Sequence, residues 1–296
     1  SRRNGFLRPW GGSGDNGLVP ATTDDLMQLF DLVEVGKDRF RGPQPDTQWQ
    51  RLFGGQVMAQ SLVAAMRTVP RNRVVHSLHG YFLRPGSREA PLRFGVEHVR
   101  DGRTFSARRV ITRQYDDVIF DLNVSFQEPE EGLSHSAVQP ESVASPEESS
   151  PLGKVLEERF GAPIRMLSEW DALDVRLAST PVPSQNGGVM RAWVRTQEDL
   201  PDDPCLHAVV LAYLTDLLLL SVSTVQHEVE FLSPNLQTAS IDHAMWFHRP
   251  ARCDQWLLYD MVSPSASGAR GFCQGRLFQD GKLVASCAQE GLIRLL

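Results

Sequence analysis

The sequence predicts an α+β fold built twice over, each unit a long helix packed on an antiparallel sheet. Three observations carry this. Residues 52–69 and 206–220 have the apolar character of buried helices, and each is followed by four runs of strand-forming residues separated by turn signals. The runs also match each other. Phe82-Leu83-Arg84-Pro85 corresponds to Phe247-His248-Arg249-Pro250, and Ser125-Phe126-Gln127-Glu128 to Cys287-Ala288-Gln289-Glu290 at nearly the same distance downstream, the mark of an internal duplication.

In chain order, residues 11–17 read GGSGDNG and contain G-x-G-x-x-G from Gly12 to Gly17. No strand precedes it and no apolar helix opens from it, so a flexible loop is expected, not a dinucleotide site. A short amphipathic helix is expected at Asp24–Asp31, with Thr23 as its N-cap. The helix at 52–69 is rich in Ala, Val and Met and is ended by Pro70. Gly54 and Gly55 stand at its start, where missing side chains let a backbone or ligand come close, and Gln56 and Gln60 share one of its faces.

Four strands follow at 74–84, 92–100, 104–115 and 118–127, punctuated by Arg84-Pro85-Gly86, Asp101-Gly102 and Asp116-Asp117. Residues 128–153 are rich in Glu, Ser and Pro and poor in apolar side chains, so they are expected to link an N-terminal repeat, 1–127, to a C-terminal repeat, 154–296. Short strands are expected at 164–167, 173–178 and 189–196, ahead of the second helix. The last four strands are expected at 239–249, 255–262, 271–279 and 282–295. Two sheets joined edge to edge would bury both helices and leave few open edges.

Composition narrows the function. A chain of 296 residues with 41% hydrophobic and 22% charged residues is an ordinary globular protein, and a net charge of −6 argues against broad nucleic-acid binding. The N-terminal SRRNGFLRPWGGSG lacks an apolar core, and no apolar run is expected to reach membrane-spanning length. Cys205, Cys253, Cys273 and Cys287 form no C-x-x-C pair and no metal spacing. Reduced thiols in a cytoplasmic protein are therefore expected. Neither G-x-S-x-G nor H-E-x-x-H occurs, and His76, His79, His243 and His248 fall in strands, so no metal site is expected.

The helix at 206–220, LHAVVLAYLTDLLLL, carries one carboxylate, Asp216. Burying an unpartnered carboxylate costs several kcal/mol, so Asp216 is either a structural group bonded to backbone or arginine, or a general base beside a water. Arg100, Arg103, Arg108, Arg109 and Arg113 cluster on one turn and strand, a basic patch in an acidic protein.

The runs RLFGGQVMAQSL, HSLHGYFLRPG, RDGRTFSARRV, SIDHAMWFHRP, SASGARGFCQGRLF and QEG resemble the acyl-CoA thioesterase II family, from about Leu26 to the C-terminus and excepting the linker. The resemblance implies a double hotdog fold, a homodimer or higher homo-oligomer, and hydrolysis of fatty acyl-CoA to free acid and CoA without cofactor or metal. It places the family's aspartate on Asp216, its glutamine on Gln289 and its threonine on Ser240, where this chain keeps the hydroxyl and loses the methyl. Substrate contacts are then expected from Gly54, Gly55 and Gln56, whose backbone N–H groups at the helix start could face an oxyanion, and from Arg100, Arg103, Arg108 and Arg109 toward the CoA phosphates. A hotdog enoyl-CoA hydratase and a non-catalytic acyl-CoA binder remain open alternatives.

Overall fold

A computed structural model describes residues 20–43, 47, 51–161, 169–227 and 229–296. The glycine-rich segment 11–17 and the strand expected at 164–167 lie outside the described residues.

Helix α1, Thr23–Leu29, starts one residue earlier than expected. Thr22 is its N-cap, in a reciprocal capping box with Asp25. Strands β1, Val33–Gly36, and β2, Arg39–Arg41, lead to α2, Gly54–Met66. Strands β3, Val74–Phe82, β4, Arg93–Asp101, β5, Phe105–Gln114, and β6, Asp117–Gln127, fall where the turn signals put them.

The expected linker is not a free tether. Val138 bridges to Lys282, Arg249 donates to the carbonyl of His135, and the Trp193 indole donates to the carbonyl of Ala144. It also ends early, in β7, Ser150–Pro151, and α3, Leu152–Phe160. A segment with little apolar surface has become ordered by lending its backbone carbonyls to the sheet beneath it.

The second repeat comprises β8, Leu173–Leu177, β9, Gly188–Thr196, α4, Pro204–Thr215, a 3-10 segment at Leu219–Thr224, β10, Leu236–Ser240, β11, Asp242–Phe247, β12, Leu257–Ser267, β13, Arg270–Gln279, and β14, Lys282–Leu295. Two expectations are corrected. The helix expected to run through Leu220 stops at Thr215, with Asp216 as its C-cap. The strand expected at 239–249 breaks at Ile241 into β10 and β11. Pro204–Thr224 as a whole is also long and apolar enough to cross a membrane, contrary to expectation, but two-thirds of it is buried within the protein.

The strands form one sheet in the order β1-β2-β4-β5-β6-β3-β11-β14-β13-β12-β9-β8-β7, with β10 added beside β14. The repeats meet where β3 pairs with β11, Ala244 opposite His79. Going outward from that seam the two halves repeat each other strand for strand, and the ladders repeat at one offset. Val75 faces Phe126 as Ser240 faces Gly291, His79 faces Asn123 as Ala244 faces Ala288, and Phe82 faces Phe120 as Phe247 faces Ala285.

This register corrects the second of the two expected correspondences. Gln289 matches Val124, not Gln127. A shift of three positions is odd, so it would put the two glutamines on opposite faces of the sheet.

Helices α2 and α4 pack on each other at the centre. Gly55 permits the contact, since a Cβ there would lie 2.4 Å from the carbonyl oxygen of Tyr213. Among α2 residues only Gly54 is not buried.

Candidate active site

Asp216 stands at the C-terminal end of α4, where helix carbonyls run out of partners. Two contacts fix this end. The Tyr259 hydroxyl donates to the Thr215 carbonyl at 2.6 Å, with burial holding that phenol well above its ordinary pKa. The Thr215 hydroxyl donates to the carbonyl of Ala212 and meets His243 Nε2 at 3.1 Å.

The Asp216 side chain is 5% exposed. No arginine reaches it among the described residues, which disfavours a purely structural ion pair. Instead Gln289 Nε2 donates to Asp216 Oδ1 at 2.7 Å and to Ser240 Oγ at 2.8 Å, so one carboxamide holds the acid and the hydroxyl together. Gln289 is 1% exposed, and its Oε1 has no hydrogen-bond partner among the described residues.

Strand geometry explains the meeting. Ser240 lies opposite Gly291 on β14, so Gln289, two residues along, is its diagonal neighbour on the same face. The break at Ile241 keeps its hydrogen bonds, with Ile241 N–H donating to Glu290 O and Phe82 N–H to Ile241 O. It therefore bends the strand without opening the sheet.

The free oxygen of the acid, Oδ2, faces Gly54. A Cβ on Gly54 would lie 2.7 Å from Oδ2 and 3.0 Å from Phe82 Cζ. Gly54, Phe82 and Ser240 line a cavity of about 410 Å³, with Arg51 and Arg84 also on its wall. The first turn of α2 has no side-chain cap. Gln56 N–H bonds back to Phe53 O at 3.1 Å, and Gln56 Nε2 is buried without a hydrogen-bond partner among the described residues.

The structure does not bring the expected arginine patch to this place. Arg100, Arg103, Arg108 and Arg109 lie along the β4–β5 hairpin, with Arg100 and Arg103 at the end paired with Gln127, whereas the cavity opens at the opposite end, beside Ile119. Arg108 is 1% exposed and committed to Asp101 Oδ1, both Thr68 oxygens, and the carbonyls of Arg100 and Ala107. Arg109 makes a bidentate pair with Asp121 that raises its pKa. Arg108, with every guanidinium nitrogen engaged, has no donor to spare for a phosphate.

Sequence reasoning missed three neighbours of the cluster. Arg51 and Arg84 carried no signal beyond being basic. His243 was indistinguishable from other strand histidines, yet it is fully buried, with its Nδ1 3.8 Å from Asp216 Oδ1 and that nitrogen without a hydrogen-bond partner among the described residues. His76, on β3, and His248, one residue past β11, by contrast bond Ser125 and Ser286. No metal-binding group of His, Cys, Asp or Glu occurs among the described residues.

Two helix-on-sheet repeats sharing one ladder, with a polar cluster beside a cavity near their seam, define the class as a double-hotdog enzyme. The family model described as acyl-CoA thioesterase matches residues 167–292, and that described as acyl-CoA thioesterase N-terminal domain matches residues 43–127. Acyl-CoA thioesterase 2 of Haemophilus influenzae is 36% identical over 92% of this chain and 97% of its own length. Human acyl-coenzyme A thioesterase 8 is 35% identical over 96% of this chain and 94% of its own. The crystal structure of acyl-CoA thioesterase II TesB2 from Mycobacterium marinum superposes with a TM-score of 0.77 at 40% identity, covering 91% of this chain and 98% of that one. The chain belongs to the acyl-CoA thioesterase family, a family of thioester hydrolases.

Proposed function

We propose that this protein hydrolyses fatty acyl-CoA by direct attack of one water, with Asp216 as the base. The observation that carries the reading is Asp216 itself: a nearly buried carboxylate with one oxygen tethered by Gln289 and the other turned to Gly54, which lines a cavity together with Ser240. A thioester carbonyl needs no covalent nucleophile. Oδ2 takes a proton from water as the oxygen adds to the carbonyl carbon; the tetrahedral intermediate collapses, the C–S bond breaks, and CoA leaves as the thiol once the proton is returned to sulfur.

Gln289 holds the acid and Ser240 in register through its amide group. Ser240 Oγ accepts from Gln289, which leaves its own proton to orient the water. Backbone N–H groups of Gly54 and Gly55, in the first turn of α2 without a side-chain cap, stand at the positive end of the helix and suit the developing oxyanion, whereas the Gln56 N–H is already bonded to Phe53 O. Arg51, on the cavity wall, replaces the β4–β5 arginines as the contact for the CoA phosphates, while Arg84 beside it is held by Asp117 and the Val118 carbonyl.

The four free cysteines support a reducing compartment such as the cytoplasm. Tyr81 and Trp246, exposed on the joined strands β3 and β11, support assembly of two or more copies.

Asp216→Asn keeps the side-chain shape and removes the base. Thiol release from acyl-CoA is expected to fall on the order of 10²-fold or more while acyl-CoA binding survives. Wild-type turnover in that variant would remove Asp216 from the mechanism.

A further inference from the structure

His243 is a buried titratable group that the mechanism above leaves unused. It stands on β11 at the seam between the repeats, opposite Gly80 of β3, and its side chain is fully buried. Its Nε2 lies 3.1 Å from the Thr215 hydroxyl. Its Nδ1 lies 3.8 Å from Asp216 Oδ1, with no hydrogen-bond partner among the described residues. A buried ring nitrogen without a partner is costly, so its place against the base needs a reason.

The partners fix where the hydrogens sit. Thr215 gives its single hydroxyl hydrogen to the Ala212 carbonyl at 2.9 Å, which leaves its oxygen to accept from Nε2. Nε2 therefore carries the hydrogen of the neutral ring, and Nδ1 turns a lone pair toward Asp216. The distance agrees, because an Nδ1–H facing a carboxylate would close to about 2.7–2.9 Å whereas two acceptors stay apart. A second acceptor beside a carboxylate disfavours its charged form and so makes it the stronger base.

The other titratable neighbours of Asp216 are Tyr213 on α4, Tyr259 on β12 and Cys287 on β14. Burial pushes the thiol up to about 12 and both phenols above their ordinary value, so all three stay neutral where the enzyme works. Helix α2 offers Gly54, which does not titrate. Asp242, the residue before His243, points to the other face of the sheet and pairs there with His79. We propose that His243 is a positioning residue for hydrolysis: its neutral imidazole, locked by Thr215 with Nδ1 bare, strengthens Asp216 as the base toward the attacking water. This rests on Asp216 being that base. The water proton still goes to Oδ2 and from there to sulfur, and the imidazole neither gains nor loses one.

The test follows thiol release from lauroyl-CoA against pH in the full chain. His243→Gln keeps an N–H for the Thr215 hydroxyl and removes the ring nitrogen beside Oδ1. Thr215→Val removes the hydroxyl that fixes the ring hydrogen, which is then free to move to Nδ1 and be donated to Oδ1. In both, the acid limb of kcat is expected to move to lower pH by about one unit and the plateau to fall about threefold to tenfold, with KM little changed. A merely structural role would lower kcat at every pH and leave the limb in place. If His243→Gln does not fold, Thr215→Val decides. An unmoved limb in either folded variant, or a limb moved to higher pH, overturns the inference alone when Asp216→Asn is inactive. Wild-type turnover in Asp216→Asn would instead remove the base, and the role of His243 with it.

Discussion

At the residue scale, Gly54 and Asp216 define what the site can do. The acid carries the cost of burial, several kcal/mol for an isolated charge, and the Gln289 amide offsets part of it through a charge-assisted hydrogen bond. Gly54 keeps the other oxygen open. Gly54→Ala would place a methyl 2.7 Å from Oδ2, so either the carboxylate or the helix start must shift. A displacement of about 1 Å can cost on the order of 10²-fold in rate. We expect kcat to drop by about that factor with little change in thermal midpoint, since alanine is the better helix former. Kinetics at full rate in this variant would mean that Oδ2 does not face the reacting water. Asp216 stood out in the sequence because a lone acid among leucines is chemically odd. Gly54 could be suspected only as a place of close approach, because its partner lies 162 positions away.

At the element scale, α4 is pinned at both ends. Asp203 caps its first turn through Cys205 N–H, and His207 Nδ1 accepts the Cys253 N–H at 3.0 Å. Burial lowers the His207 pKa below its ordinary value, with Arg252 adding to the effect and nearby carboxylates opposing it. The sign follows directly. The unfolded chain binds the proton at about pH 6.5 and the folded chain only at lower pH, so stability is complete above that value and declines as pH falls through it. Burial lowers His76 and His248 in the same direction. The urea midpoint is expected to decline between pH 7.5 and 5.5, and His207→Gln to flatten that decline; an unaltered slope would show that protonation there is not coupled to unfolding.

Elements were the most legible part of the sequence. The turn dipeptides located most of the expected strands to within a residue or two, but the strand expected at 255–262 runs on to Ser267, and β1, β2 and β7 were not expected. What was not legible was where a ladder slips. The break at Ile241 and the three-residue error in matching Gln289 both concern register, and register depends on a partner strand that local pattern does not name.

At the scale of the whole molecule, duplication has left one site. The positions matching Ser240 and Gln289 in the first repeat are Val75 and Val124, both buried and apolar. The first repeat instead contributes Gly54 and Phe82 to the cavity and supplies the strand that pairs with β11. All three polar residues therefore sit in residues 128–296, yet that half alone is expected to show no thiol release. Co-expression with residues 1–127 should restore it if the ladder re-forms. Hydrolysis by the isolated second half would show that the seam is not needed.

By itself the sequence determined the architecture and one acid. Helical and strand periodicities are local, repeats are visible as text, and a buried charge is improbable without a reason. Only the tertiary structure decided which polar groups meet. Arg108, read as a phosphate contact, closes a hairpin end; His243, read as an ordinary strand histidine, lies against Asp216; and Gln289 reaches across to hold Asp216 and Ser240. Those outcomes depend on strand register and on how closely two helices dock, which are settled by packing summed over the whole sheet and not by any one stretch of chain.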